Sequence, residues 1–290
     1  MITSYRNCLL ATVAGLTVLP SVSFADGDFT CWAPASNVLA QAGPDYWTEE
    51  RLRNAVPETP GVPADGPHLG GTSRLGDAER APIDTAPYKF GGKLFFTRGG
   101  VDYTASAQFV AGDKIVIAAA HSLWKGGATA TNIRFIQGYN GGGGTPYQID
   151  LAAVLTAWTG VADNPPSLSR SQYDYSVMRT TEPTAVGRYD LGVVGLDATV
   201  TVTGYPGRIE GGEYMYREEG TIVLKAGDAY QSMPHPMYGG GASGGAWFVG
   251  ESEPYQAVSV VSSGNETSVY GPAFTQKTQE MIDYVSGGCK

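Results

Sequence analysis

The chain of 290 residues carries 19 basic and 28 acidic side chains, a formal net charge of −9. That acidity argues against nucleic acid or an anionic membrane surface as a partner, since both are negatively charged. No motif in the chain asks for a metal ion or another cofactor.

Residues 1–25 read as a signal peptide: one positive charge (Arg6), an apolar run from Leu9 to Leu19, a break at Pro20 and the cleavage positions Ser23-Phe24-Ala25. The run is too short to span a bilayer. The expectation is a secreted protein, extracellular or periplasmic, with no membrane contact after cleavage. Cys8 would leave with the leader, and Cys31 and Cys289 would remain near the two ends. An oxidising compartment favours a bridge between them, with two free thiols as the alternative.

Residues 26–87 read as a pro-segment or N-terminal extension. A short helix is predicted from Thr48 to Asn54, where Thr48 caps and Glu49 and Glu50 suit the positive end of the helix dipole. Residues 55–87 turn to Pro, Gly and Asp with few large apolar side chains, which is linker composition. Arg74 and Arg80 are its exposed candidates for cleavage.

From Tyr88 onward, short alternating runs are separated by turn residues: Gln108-Phe109-Val110, Ile115-Val116-Ile117, Ile133 to Ile136, Thr199 to Thr203, and Ala257 to Val261. This is an all-β pattern, for one barrel or a pair of packed sheets. A loop tip is marked by Gly138 to Gly144. Only residues 276–285 read as helix, with Met281, Ile282 and Val285 on one side.

Three segments carry chemistry. Lys114 to Ala120 is a β-type run that ends in three alanines and delivers His121. Of the other histidines, His68 lies in a Pro/Gly-rich stretch and His235 between two prolines, so His121 is the candidate base. A carboxylate must hold its ring. Asp150 and Asp174 both adjoin strand-like runs, and Asp174, which opens Tyr173-Asp174-Tyr175-Ser176-Val177-Met178, is preferred to Asp150. Finally, Gly240-Gly241-Ala242-Ser243-Gly244-Gly245 places one serine among glycines. Such a loop turns sharply enough to expose a hydroxyl, and its backbone N–H groups can face a developing negative charge.

The order His121, Asp174, Ser243, in the settings AAAHS, YDYSVM and GGASGGAW, resembles the chymotrypsin-fold (trypsin-like) serine endopeptidases, and within them the bacterial and fungal branch that includes the glutamyl endopeptidases. YKFGGKLFF (88–96), VTGYPG (202–207) and YMYREEGTI (214–222) are similar to segments of that branch, and YWTEERLRNAVP (46–57) to a pro-region motif of related secreted enzymes. The resemblance implies two packed antiparallel six-stranded β-barrels, about 88–183 and 184–275, with a C-terminal helix at 276–285 completing a peptidase domain of 88–290. It implies a monomer that hydrolyses peptide bonds of protein or peptide substrates through an acyl-enzyme, with Ser243 attacking, His121 moving the proton and Asp174 orienting His121. Gly241 and Ser243 would supply the oxyanion N–H groups, and Ser262 would contact the aspartate. Met237, Tyr238 and Gly239, with Val261, Ser262, Ser263 and Gly264, would bound the substrate pocket.

Departures from the family pattern are also present. A disulfide common in relatives is absent, with Ala105 and Ser122 at both of its positions. Ala242 stands where an aspartate often precedes the nucleophile. Val261 stands where the glutamyl-specific enzymes place a histidine. Met237 replaces the acidic pocket floor of trypsin-type enzymes, which predicts poor cleavage after Lys or Arg and a lean towards apolar side chains. The competing classes are a catalytically silent, protease-like binding protein and a serine esterase using the same three residues.

Overall fold

Alternation along the chain sets which strands can pair. A computed structural model describes residues 23–34, 45–59, 78–234, 237 and 239–290. His68, Arg74, His235, Tyr238 and most of the expected leader lie outside the described residues.

Six strands form the first sheet: β1 (Gly91–Arg98), β2 (Val101–Phe109), β3 (Ile115–Ala118), β4 (Thr131–Asn140), β5 (Gly143–Leu155) and β6 (Ser176–Thr180). They pair antiparallel in the order β1-β2-β3-β6-β5-β4, and β4 returns to β1, so the barrel is closed. Closure gives each of the six strands a partner on both sides, but β5 runs on past its pairing with β4 and β2 past its pairing with β3, and those stretches keep an edge to be paired. Inward-facing Leu94, Phe96, Phe109, Val116, Phe135 and Met178 are buried in one core. Phe109 meets Phe135 and Tyr147 edge-to-face at 5.3 and 5.1 Å, the geometry that ring quadrupoles favour.

The second sheet comprises β7 (Thr199–Gly204), β8 (Tyr216–Ala226), β9 (Ala229–Met233), β10 (Ala246–Val249), β11 (Gln256–Val260) and β12 (Val269–Pro272). Its order is β11-β10-β7-β8-β9-β12, antiparallel throughout. Asp190–Leu191 pairs along the outer side of β11, and Ser263–Gly264 along that of β12. β11 and β12 lie close but share no ladder of their own, and the chain just after β11 makes the join, with Ser262 N donating to Tyr270 O and Ser263–Gly264 pairing with β12, so this sheet is barrel-like only in part.

The helix Gln276–Ser286 starts at a capping box on Thr275 and buries Met281, Ile282 and Val285. That face packs back onto β5 and β6 of the first barrel.

The N-terminal stretch is more firmly built in than linker composition suggested. Phe29–Trp32 adds a strand to the second half of β5. The helix Glu49–Asn54 is capped by Thr48, whose hydroxyl accepts from Arg51 N. Val56–Pro57 runs parallel to β2, and Glu79–Arg80 pairs with β8. A few residues suffice for such pairing because the strand edges are already in place, and composition does not register an edge waiting to be filled.

Of the two states open to the cysteines, the bridge is the one found: Cys31 is joined to Cys289 across 258 positions. It ties the added strand to the end of the C-terminal helix. Cys289→Ser is expected to lower the unfolding free energy by about 2–5 kcal/mol, chiefly by freeing a long loop in the unfolded chain. A denaturant midpoint equal to that of the wild type would contradict this.

Candidate active site

His121 leaves the barrel where β3 ends. Ala118, Ala119 and Ala120 have no exposed surface, so the backbone packs tightly and the short helix Ala120–Leu123 begins at once. Asp174 sits just before β6, the strand that pairs with β3. Its two oxygens divide the work: Oδ1 accepts from the His121 backbone N–H at 2.8 Å, and Oδ2 lies 2.8 Å from the ring Nδ1. Ser262 Oγ donates to the same Oδ2 at 2.5 Å. The ring is therefore held at its backbone and at its edge. Asp150 is placed elsewhere, in a half-exposed fork with Arg179 at 2.7 to 3.2 Å.

The Ser243 loop is fastened to the first barrel across the junction of the two sheets. Ser106 N donates to Ser243 O at 2.7 Å, while Ser106 Oγ donates to Gly241 O and accepts from Tyr205 N, each at 2.8 Å. Gly241 and Gly244 have φ of 86° and 83°, a region costly for other residues. A side chain at Gly244 would also strike the Ser106 carbonyl and the backbone of Ala118 and Ala119. The glycines of the motif thus let the serine loop lie against the strand end that delivers the histidine.

Burial is the largest single influence on both titratable groups, yet their charged neighbours together overcome it. It pushes the His121 pKa down, but the adjacent Asp174 and Glu58 carboxylates outweigh it and hold the imidazole above its ordinary 6.5. For Asp174, burial pushes up, and the His121 ring, with Arg170 and the Ser262 hydroxyl, holds the carboxyl below its usual range.

Other expected site residues fall into two groups. Met237 and Val261 are buried in the core of the second sheet, while Ser262 reaches Asp174 and Ser263–Gly264 forms the short strand on β12. Among the described residues, Ser263 Oγ and Ser243 Oγ make no hydrogen bond.

No protein-family model matches the chain, and no curated protein matches its sequence. Among solved structures it is similar to the protease Anisep from Arthrobacter nicotinovorans, with 26% identity over 70% of this chain and 96% of that one and a TM-score of 0.57. It is also similar to the thermostable serine protease AL20 from an extremophilic microorganism (23% identity, 71% and 99% covered, TM-score 0.59). A third is a Glu endopeptidase in complex with MPD (18% identity, 73% and 97% covered, TM-score 0.59). The chain has the chymotrypsin fold. The likeness to serine proteases supports a protease activity in general.

Within this fold, three residues that sequence reasoning passed over crowd the site. At the two positions lacking the family disulfide, Ala105 and Ser122 are fully buried. There Arg98 Nη1 donates to the carbonyls of both His121 and Ser122, at 2.7 and 2.6 Å. Its Nη2 donates to Glu58 Oε1 at 2.7 Å, and Lys125 Nζ reaches the same oxygen at 3.2 Å. The other oxygen of Glu58 lies 3.2 Å from His121 Nε2. Burial pushes the Glu58 carboxyl up, but His121, Lys125 and Arg98 outweigh it and hold it far below the usual carboxylate range. Arg98 and Lys125 sit in ordinary strand context, and Glu58 lies in Val56-Pro57-Glu58-Thr59-Pro60, a stretch with no periodicity to mark it.

Proposed function

We propose that the chain is a secreted serine endopeptidase working through Ser243, His121 and Asp174. The observation that supports this best is the state of the Gly241 N–H, which donates to a peptide carbonyl, that of Glu58, at 3.0 Å. A backbone donor beside the candidate nucleophile already binds the group that a protease must polarise.

In this reading Ser243 Oγ attacks the scissile carbonyl carbon while His121 Nε2 takes the hydroxyl proton. Negative charge moves to the carbonyl oxygen, between the N–H groups of Gly241 and Ser243. Losing one such donor typically costs about 3 kcal/mol of transition-state stabilisation. Collapse expels the amine, which receives the proton from His121, and leaves the acyl-enzyme. Water, activated by the same imidazole, then releases the acid and restores Ser243. Asp174 holds the ring with Nδ1 protonated and stabilises its cation. Met237, Tyr238 and Val261 to Gly264 would bound an apolar substrate pocket. A buried Lys or Arg there would lack a counter-charge, at a cost of roughly several kcal/mol.

Labelling with a fluorophosphonate tests the nucleophile, and casein against a short-chain nitrophenyl ester tests the substrate class. In chain cut within residues 26–87, covalent labelling at Ser243 with casein hydrolysis is the expected result. Ester turnover without casein hydrolysis would replace endopeptidase by esterase, and absence of both would leave a silent binding protein.

The pH dependence follows from the same geometry. Only neutral imidazole accepts the proton, so the rate should rise with pH through the His121 titration. Because Asp174 and Glu58 raise that pKa, the midpoint should lie above 6.5 in the full chain. Glu58→Gln removes one raising charge and should move the midpoint to lower pH. A midpoint that stays put or moves up in this variant would contradict the assignment.

Residues 26–87 are proposed to act as a pro-segment, and residues 1–25 as the leader that exports the chain. Among the described residues no helix is long and apolar enough to cross a membrane. With Cys31 bridged to Cys289, a cut at Arg74 would leave the N-terminal piece attached. Reducing and non-reducing gels of the cut chain should therefore differ.

A further inference from the structure

His121, Asp174 and Ser243 have no exposed surface. A hydrolase in that state cannot meet a substrate, and the segment Val56–Thr59 supplies part of the cover. It lies in the cleft as a bound peptide would. Val56 and Pro57 run beside Tyr103 and Thr104 of β2, and Glu58 N donates to Thr104 O at 2.9 Å. The Glu58 carbonyl accepts from Gly241, and Lys125 Nζ donates to Thr59 O at 3.3 Å. Pro57 packs over Gly207, where a side chain would strike its ring, and against Gly240, where a side chain would meet the Pro57 carbonyl and the Thr59 hydroxyl. Thus the backbone of the segment uses a donor that catalysis would need, and its one charged side chain takes the face of His121 that would receive the proton.

The partners of that side chain form a built site. The side chain of Glu58 is 2% exposed and that of Arg98 9%, with Lys125 partly open at the rim. Arg98 cannot turn away, because Nη1 is committed to two backbone carbonyls while Nη2 faces the carboxylate. A cation fixed in this way, with little water around it, demands an anion opposite. Arg98 ends β1 of the first barrel and Lys125 lies in the short hairpin of Trp124–Lys125 with Ala128–Thr129, both apart from Met237 and Val261 in the core of the second sheet.

We infer that Arg98 and Lys125, beside the His121 ring, form a carboxylate-binding subsite in the catalytic cleft, that Glu58 is its intramolecular occupant, and that the chain is latent while Glu58 holds it. Once the segment leaves, the subsite takes the acidic side chain of an extended peptide. This inference rests on the serine endopeptidase reading, since latency is defined by access to Ser243.

The test uses the full chain and its Glu58→Gln variant, which keeps the shape of the segment and removes its charge. The rate of fluorophosphonate labelling at Ser243 is measured for both, with Lys125→Ala as a second variant that loosens the hold from the rim. Labelling of Glu58→Gln should be about tenfold faster or more, as expected when one partner of a buried charge pair is lost, and Lys125→Ala should fall between. The Glu58→Gln chain is then labelled in the presence of acetyl-Val-Pro-Glu-Thr-amide or its Gln counterpart. The Glu peptide should protect Ser243, and the Gln peptide should not. Equal labelling rates for wild type and Glu58→Gln, with casein hydrolysed, would overturn the inference and leave the endopeptidase reading standing. Equal protection by the two peptides would also overturn it. If no variant is labelled at Ser243 or hydrolyses casein, the endopeptidase reading falls and the inference with it.

Discussion

In any form of the chain that hydrolyses casein, Ser243→Ala is expected to abolish covalent labelling and to lower turnover by on the order of 10⁶-fold, the scale of loss when one member of a serine triad is removed. The fold should be untouched. Ser243 Oγ is buried but makes no hydrogen bond among the described residues, so its removal leaves no partner unsatisfied and takes away little volume. The loop is held instead by its backbone, through Ser106 N to Ser243 O and Ser106 Oγ to Gly241 O. The denaturant midpoint of the variant should therefore match that of the wild type while activity vanishes. Residual hydrolysis well above the background reaction would remove Ser243 from the mechanism.

Asp174→Asn should cost about 10⁴-fold in turnover, and Asp150→Asn next to nothing. The carboxylate of Asp174 accepts from the His121 backbone, the imidazole and the Ser262 hydroxyl. An amide in its place can turn an N–H towards Nδ1. That ring nitrogen would then accept, the proton would move to Nε2, and the atom that must take the proton from Ser243 would no longer be free to do so. Among the described residues the Asp150 side chain meets only Arg179, in a half-exposed pair, and such surface pairs contribute roughly 0–1 kcal/mol. Steady-state turnover of the two variants decides between the carboxylates, and the reverse ranking would exchange their roles.

The sequence alone determined the β-class and offered the candidate site side chains. Period-two alternation survives any detail of packing, because successive side chains on a strand must face opposite sides. A serine set among glycines is legible for a similar local reason. Gly241 and Gly244 adopt left-handed backbone that few other residues accept, so the loop had to be written in glycine. The choice of Asp174 over Asp150 rested on motif context, and the antiparallel pairing of β3 with β6 is what puts Asp174 beside His121 in space.

What only the tertiary structure decided was which groups meet across long separations. Ser106 joins the serine loop to the first barrel, Arg98 grips the backbone at His121, and Ser263–Gly264, just after β11, pairs with β12. Glu58 is the clearest case: 63 positions before His121 in the chain, it lies 3.2 Å from the ring in the fold. Composition marked its surroundings as linker, since four residues that fill a cleft need no periodicity and no core of their own. Their order comes from hydrogen bonds and charges supplied by strands already formed, and a linear pattern records only what a segment does for itself.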